Sequence, residues 1–132
     1  MVKKMFHKVP LFFGLCLLTV SCTDYDSVYC TTEALAGIAI EIRDDITDEP
    51  LAENAIVVVT DGAYSETLMV TAYEGSGSSS AYLVAGAYER AGTYDVNVTL
   101  EGYTDWSRSD VEVMSGLCHV ETVRLTARLV KI

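Results

Sequence analysis

The chain has 132 residues, with 19 acidic and nine basic side chains, a net charge of −10 and half of its residues apolar. This length allows one ordinary domain and argues against two. The negative charge argues against nucleic acid as a partner, because phosphate binding needs clustered Lys and Arg side chains. The apolar fraction is too high for a disordered chain that cannot bury a core.

Residues 1–21 have the order of an export signal. Lys3, Lys4 and Lys8 form a positive start, and an apolar stretch follows over residues 9–20. This stretch is too short to span a bilayer, which takes about 20 residues. We therefore expect a cleaved signal peptide over residues 1–21 rather than a permanent membrane helix.

The signal ends in Leu-Thr-Val-Ser-Cys over residues 18–22, which resembles the lipobox of bacterial lipoproteins. In that motif a small residue, here Ser21, precedes the Cys that receives the lipid, here Cys22. The family more often has Leu where this chain has Thr19. The alternative is ordinary secretory cleavage, which leaves Cys22 as a thiol. The resemblance implies a lipid anchor in the cell envelope, and Thr23 favours the outer membrane because it is not the Asp of the inner-membrane retention signal.

The number of cysteines supports lipid attachment. Cys16 leaves with the signal, so Cys22, Cys30 and Cys118 remain, and an odd number in an oxidising compartment leaves one reactive thiol. If lipid modifies Cys22, then Cys30 and Cys118 form one disulfide that encloses most of the domain. Two separate buried thiols are the alternative, which export disfavours. We expect residues 22–32 to form a short solvated tether.

Alternation of apolar and polar residues dominates residues 33–132. A period of two is typical of strands with one buried face, whereas the continuous apolar run over 55–60 predicts a strand buried on both faces. The predicted strands lie around residues 38–43, 55–60, 64–72, 81–88, 93–100, 111–113 and 122–129. Turn residues separate them, including the Gly/Ser tract 75–80, which we expect to be a hairpin loop. Seven short strands at this spacing predict an all-β sandwich or small barrel.

Several motif residues follow one another in a characteristic order. They are Gly37, Asp44 with Thr47, Pro50-Leu51, Ala55, Gly92 with Tyr94, and Gly102-Tyr103. This order, over residues 37–129, resembles the carboxypeptidase regulatory-like domain, a transthyretin-like (prealbumin-like) sandwich of secreted bacterial proteins. The resemblance implies a single seven-stranded Greek-key-type β-sandwich over residues 33–132. Its motif residues belong to turns and core, so they imply a fold and no site.

Catalytic chemistry finds little support after the signal. His119 is the only His there, a strand position is expected for it, and general base catalysis also needs an orienting partner. Intradiol dioxygenases use related sandwiches, but they bind iron through two Tyr and two His. Hydroxyisourate hydrolases of the transthyretin-like group need several His and Arg residues. We expect no enzyme activity, no cofactor and no metal site.

One acidic turn is a candidate calcium site. Its carboxylates belong to Asp44, Asp45, Asp48, Glu49 and Glu53. Calcium takes six to eight oxygen ligands from a loop that wraps around it, and the EF-hand version has a Gly that this turn lacks. A solvated acidic turn is the favoured interpretation.

Trp106, Tyr103 and nearby Tyr side chains form a candidate ligand surface, because flat apolar rings with a polar edge suit sugars and peptides. The alternative is that Tyr replaces Phe in the core, since all three Phe residues lie in the signal. We expect a protein held to the membrane by its N-terminal lipid, whose sandwich serves as a non-catalytic structural or protein-interaction module. Glycan or small-ligand binding through Trp106 is the alternative function.

Overall fold

The computed structural model describes residues 27–73 and 81–132. These residues form eight β-strands and no helix, so the prediction of an all-β fold is confirmed. A search of the same residues finds no apolar helix long enough to cross a membrane. The predicted signal peptide, Cys22 and the Gly/Ser loop 75–80 lie outside the described residues.

The eight strands form two four-stranded sheets. In chain order they are β1 Ile38–Asp44, β2 Ile56–Asp61, β3 Tyr64–Thr67, β4 Met69–Tyr73, β5 Ala81–Gly86, β6 Gly92–Thr99, β7 Trp106–Val113 and β8 Val123–Leu129. One sheet has the order β4-β5-β1-β8 and the other β3-β2-β6-β7. β1 and β8 run parallel, and the other neighbouring strands are antiparallel.

One hydrophobic core lies between the sheets, which therefore pack face to face. Ile38, Ile40 and Ile42 of β1 are fully buried, and Ile40 lies opposite Leu125 of β8 and Val84 of β5. The facing strands β2 and β6 contribute Val57, Val59, Tyr94, Val96 and Val98. Alternate residues of β1, β2, β6 and β8 thus supply the core, as the period of two predicts.

The structure has one strand more than predicted, because the single strand expected over residues 64–72 is divided. β3 pairs with β2, whereas β4 pairs with β5 in the other sheet. Leu68 lies between them with its side chain buried, and its N–H donates to the carbonyl of Val57 at 2.9 Å. Alternation continues through Leu68, so the periodicity does not reveal that the chain changes sheets there.

Two further strands differ from the prediction. β2 is buried on one face only, since Val57 and Val59 are buried while Ile56 is exposed. β7 begins at Trp106, five residues before the predicted start. Its first half is polar and irregular, with a register shift against β6 and a positive φ of 57° at Asp110. A polar edge strand with such a bulge lacks the alternation by which strands are recognised.

Tyr94 is the largest fully buried side chain, and its hydroxyl fixes the loop before β6. That hydroxyl donates to the backbone carbonyl of Arg90 at 2.8 Å and accepts from Nη1 of the Arg90 side chain at 2.8 Å. The same guanidinium reaches Asp61 at 2.8 Å and lies 3.9 Å from the centre of the Tyr64 ring. A Cβ at Gly92 would lie only 2.5 Å from the Asp61 carboxylate. Gly92 and Tyr94 therefore have a structural role, which is to hold this loop in place.

The two ends of the sandwich carry different loops. The end where the chain enters, here called the tether end, consists of residues 27–37, 62–63, 87–91 and 114–122. The opposite end, here called the far end, includes residues 45–55, 100–105 and 130–132. Strands of seven or eight residues separate the ends by about 25 Å.

Replacing Tyr94 with Phe should lower the free energy of unfolding by about 1–3 kcal/mol, because it leaves polar groups of Arg90 without their buried partner. Urea denaturation of the domain measures this change. The matched control is Tyr88→Phe at an exposed position, which should stay within about 0.5 kcal/mol of the parent. Equal stability of the two variants would contradict this role of Tyr94.

Candidate functional site

A pocket of about 560 Å³ opens at the far end of the sandwich. It lies between the β1–β2 loop and the β6–β7 turn. Its walls are formed by Pro50, Leu51, Glu53, Asn54, Leu100, Glu101 and Tyr103. A volume of this size is within the range of small-ligand sites.

The pocket has an apolar floor and an acidic rim. Leu51, Leu100 and Tyr103 are half-buried and pack against the core, while Glu53 and Glu101 are exposed. Neither Glu53 nor Glu101 forms an ion pair within the described part of the chain. The arrangement suits a ligand that combines an apolar part with a positive charge.

A hydrogen bond between Asp44 and Tyr103 joins the two walls of the pocket. The Tyr103 hydroxyl donates to Asp44 Oδ2 at 3.0 Å. Asp44 Oδ1 accepts from the backbone N–H groups of Ile46 and Thr47, both at 2.9 Å. Gly102, with a φ of 83°, makes the turn that brings Tyr103 back to the floor.

This environment changes the acidity of both side chains. The N–H groups of Thr47 and Ile46 stabilise the carboxylate, and with the Tyr103 hydroxyl they lower the pKa of Asp44 to about 2. The hydrogen bond to Asp44 raises the pKa of Tyr103 above its ordinary value. Asp44 is a buried carboxylate that accepts three hydrogen bonds, so it acts as a structural link between the two walls.

The structure places the two predicted ligand-surface residues differently. Tyr103 lines the pocket, although its hydroxyl is already bonded to Asp44. Trp106 begins β7 opposite Val98 and is half-buried against the core. It is not among the residues that line the pocket. The pocket therefore draws on Leu51 and Leu100, two apolar residues that the aromatic pattern did not single out.

Arginine side chains and backbone amides occupy much of the acidic turn. Arg43 donates to the carbonyl of Asp48 at 2.9 Å, and Arg128 donates to the Asp48 carboxylate at 2.9 Å. Asp44 accepts from backbone amides, as described above. Within residues 27–73 and 81–132, no three His, Cys, Asp or Glu side chains converge as metal ligands. The carboxylates of Asp44 and Asp48 thus have partners that a calcium ion would have to displace.

A disulfide between Cys30 and Cys118 closes the tether end, with 5.3 Å between the two Cα atoms. This distance confirms the pairing that the cysteine count predicts. The two residues are 88 apart in sequence, and a loop of that length stabilises the fold by about 4–5 kcal/mol in the chain-entropy model.

Glu89 and His119 hold the incoming chain beside this disulfide. His119 Nδ1–H donates to Glu89 Oε1 at 2.8 Å, and His119 Nε2 lies 2.9 Å from the Thr31 hydroxyl. Glu89 also accepts from the N–H of Leu35 at 2.7 Å and from the N–H of Val120 at 3.3 Å. These five residues are called the clasp below. The N–H of Leu35, followed by His119 and the N–H of Val120, lowers the pKa of Glu89.

Within the clasp, a hydroxyl, an imidazole and a carboxylate are hydrogen-bonded one after the other, as in a catalytic triad. One expectation is corrected, since His119 lies in a turn and not in a strand. Glu89 supplies an orienting partner for its ring. Hydrolases with such a triad, however, also have an oxyanion hole, in which free backbone N–H groups point at the reacting carbonyl. Here the N–H groups of Leu35 and Val120 are bonded to Glu89 itself. The geometry therefore favours a structural role, in which these hydrogen bonds hold the incoming chain against the domain.

No protein-family model matches the chain, and a search of curated proteins finds no match. The two ends of the sandwich therefore have to be interpreted from their own chemistry. The far end offers a pocket with an acidic rim, and the tether end offers a covalent and hydrogen-bonded attachment of the incoming chain.

The depressed pKa of Asp44 predicts a specific loss of stability in acid. The folded-state value of about 2 lies below the ordinary 3.8, so the contribution is complete above pH 4 and is lost as the pH falls from 4 to 2. Chemical denaturation at several pH values measures it. Asp44→Asn should flatten the curve in this window, while Asp95→Asn, at an exposed position on β6, should leave its shape unchanged. If the free energy of unfolding of Asp44→Asn fell with pH as steeply as that of the parent, the lowered pKa of Asp44 would be contradicted.

Proposed function

We propose that the protein is a lipid-anchored component of the bacterial cell envelope whose single β-sandwich is a non-catalytic interaction module. The signal segment 1–21 would direct export, and Cys22 would carry the lipid. The observation that carries this proposal is the disulfide between Cys30 and Cys118. With those two cysteines paired, Cys22 is the one cysteine after the signal without an assigned partner.

Several features support the export part of the proposal. A disulfide persists in oxidising compartments outside the cytosol. The order of charged start, short apolar stretch and small residue before Cys22 is that of an exported lipoprotein. Thr23, rather than Asp, follows the proposed lipid site, which favours the outer membrane.

We also propose that the sandwich is of the transthyretin-like type, as in carboxypeptidase regulatory-like domains. The strand pairs β2–β3 and β6–β7 lie in one sheet, and β4–β5 lies in the other with β1 and β8. This alternation between sheets and the parallel pairing of β1 with β8 support a Greek-key-type arrangement. The motif residues also have turn and core roles, as Gly92, Tyr94 and Asp44 illustrate.

Replacing Cys22 with Ser should move the protein from the membrane fraction to the soluble fraction of the envelope, because no acyl chain can be attached. Fractionation of cells followed by immunoblotting measures the shift. Cys16→Ser, inside the signal segment, is the matched control and should leave the protein with the membranes. Continued membrane retention of Cys22→Ser would refute the anchor.

A second candidate function is small-ligand binding at the far-end pocket. Of the two residues in the predicted ligand surface, Tyr103 lines this pocket and Trp106 does not. The observation that favours it is the apolar floor beside two exposed carboxylates. An oligosaccharide would have the Tyr103 face for contact, whereas a basic peptide would also satisfy Glu53 and Glu101. The acidic rim favours the basic peptide.

A lysine-containing tripeptide should shift the amide NMR signals of residues 50–54 and 100–103, and a neutral disaccharide should shift them less. The double variant Glu53→Gln/Glu101→Gln should bind the tripeptide about threefold to tenfold more weakly, because exposed charge pairs contribute modestly. Glu112→Gln, an exposed position near the tether end, is the control. Shifts located elsewhere, or equal binding by the variant, would exclude this pocket.

A further inference from the structure

We infer that the tether end of the sandwich lies against the bilayer that holds the lipid, with Leu117, Met114 and Tyr88 in contact with the headgroup region. This inference rests on the proposed anchor at Cys22. It adds the orientation of the domain on the membrane and identifies the face that meets lipid.

The length of the tether limits the distance between domain and membrane. Cys30 is eight positions after Cys22, and in any conformation the chain between them reaches at most about 28 Å. The disulfide fixes Cys30 to the tether end, and the hydrogen bond between Thr31 and His119 holds the next residue. Without these attachments the free chain would extend to Ile38 and reach about twice as far.

The exposed apolar side chains of this end surround the point where the chain enters. Leu117 is 83% exposed at the tip of the turn that contains Cys118, and Met114 is 54% exposed just before that turn. The turn is closed by the N–H of Gly116, which donates to the carbonyl of His119 at 2.8 Å. Tyr88 precedes Glu89 of the clasp and is also exposed. Long apolar and tyrosine side chains of this kind enter the interface between headgroups and acyl chains.

Exposed apolar residues occur at the far end as well, namely Ile46, Val130 and Ile132. The tether distinguishes the two ends. The strands span about 25 Å, so a far end in contact with the bilayer would require the tether to run fully extended along the whole sandwich. The tether end meets the same bilayer with no extension of the chain.

Charge indicates which bilayer suits this contact. The chain after the signal has six basic and 19 acidic residues, and Glu33, Glu112 and Glu121 are exposed near the tether end. Attraction to anionic lipid therefore cannot hold this face, because like charges repel. The contact is apolar and is expected on a zwitterionic surface.

Brominated lipids, which quench tryptophan on contact, test the orientation directly. The lipid-anchored protein is reconstituted in phosphatidylcholine vesicles with brominated acyl chains. In a Trp106→Phe background, Leu117→Trp should shift to the blue and lose roughly half or more of its emission. Ile46→Trp in the same background is the control and should keep its emission. In the protein without substitutions, Trp106 lies toward the far end and should also keep its emission.

A second measurement uses methionines that the chain already contains. Met1 and Met5 belong to the signal, which leaves Met69 and Met114, both exposed. Peroxide converts methionine to its sulfoxide, and mass spectrometry gives the rate at each residue. On vesicles, oxidation of Met114 should slow at least about threefold relative to Met69, which lies at the lateral edge of the sandwich, where it begins β4 opposite Ala85. In the soluble Cys22→Ser protein the ratio should return to that of two exposed residues.

Flotation of the vesicles separates this inference from the proposed anchor. Protein that floats while Leu117→Trp stays unquenched and Met114 oxidises as in solution would overturn the orientation and leave the anchor intact. Quenching of Ile46→Trp in place of Leu117→Trp would show that the far end faces the bilayer. Wild-type protein that fails to float would remove the anchor and the orientation with it.

Discussion

The parallel pairing of β1 with β8 places the first and last strands of the domain side by side, and both ends of the sandwich depend on it. At the start of these strands, the chain before β1 lies next to the turn before β8, which allows Cys30 to reach Cys118. At their other end, Asp45 N–H donates to the carbonyl of Leu129 at 2.9 Å. Asp44 is held there beside Tyr103, which forms a bridge with Lys131. The attachment of the tether and the wall of the pocket thus both follow from the register of β1 with β8.

The composition of the chain explains how its inner carboxylates are stabilised. With few Lys and Arg residues available, backbone amides and tyrosine hydroxyls supply many of the donors. Asp44 accepts from two amides and Tyr103, and Glu66 accepts from the Ala87 N–H and the Tyr64 hydroxyl. The hydrogen bond to Glu66 raises the pKa of Tyr64 to about 12. Tyrosine therefore serves this domain as a hydrogen-bond donor for buried and half-buried carboxylates as well as apolar bulk.

The sequence predicts those features that depend on local pattern. Alternation locates β6 and the core position of Tyr94, and the cysteine count pairs Cys30 with Cys118. Features that depend on distant contacts escape it. The change of sheet at Leu68 preserves the alternation, and the clasp joins Thr31 to His119 across 88 positions. The pocket floor is likewise missed, because Leu51 and Leu100 have the pattern of ordinary core residues and meet only through the fold.

With the proposed anchor at Cys22, the position of Cys30 would affect orientation more than stability. Loop-closure entropy grows only with the logarithm of loop length, so shifting this cysteine by a few residues would change the stabilisation of about 4–5 kcal/mol very little. The reach of the tether, in contrast, changes by about 3.5 Å with every residue. A disulfide eight positions after the proposed lipid site would therefore keep the tether end near the bilayer at no loss of stability. In the proposed orientation, the acidic pocket at the far end would face away from the membrane, where a soluble or opposing partner would reach it.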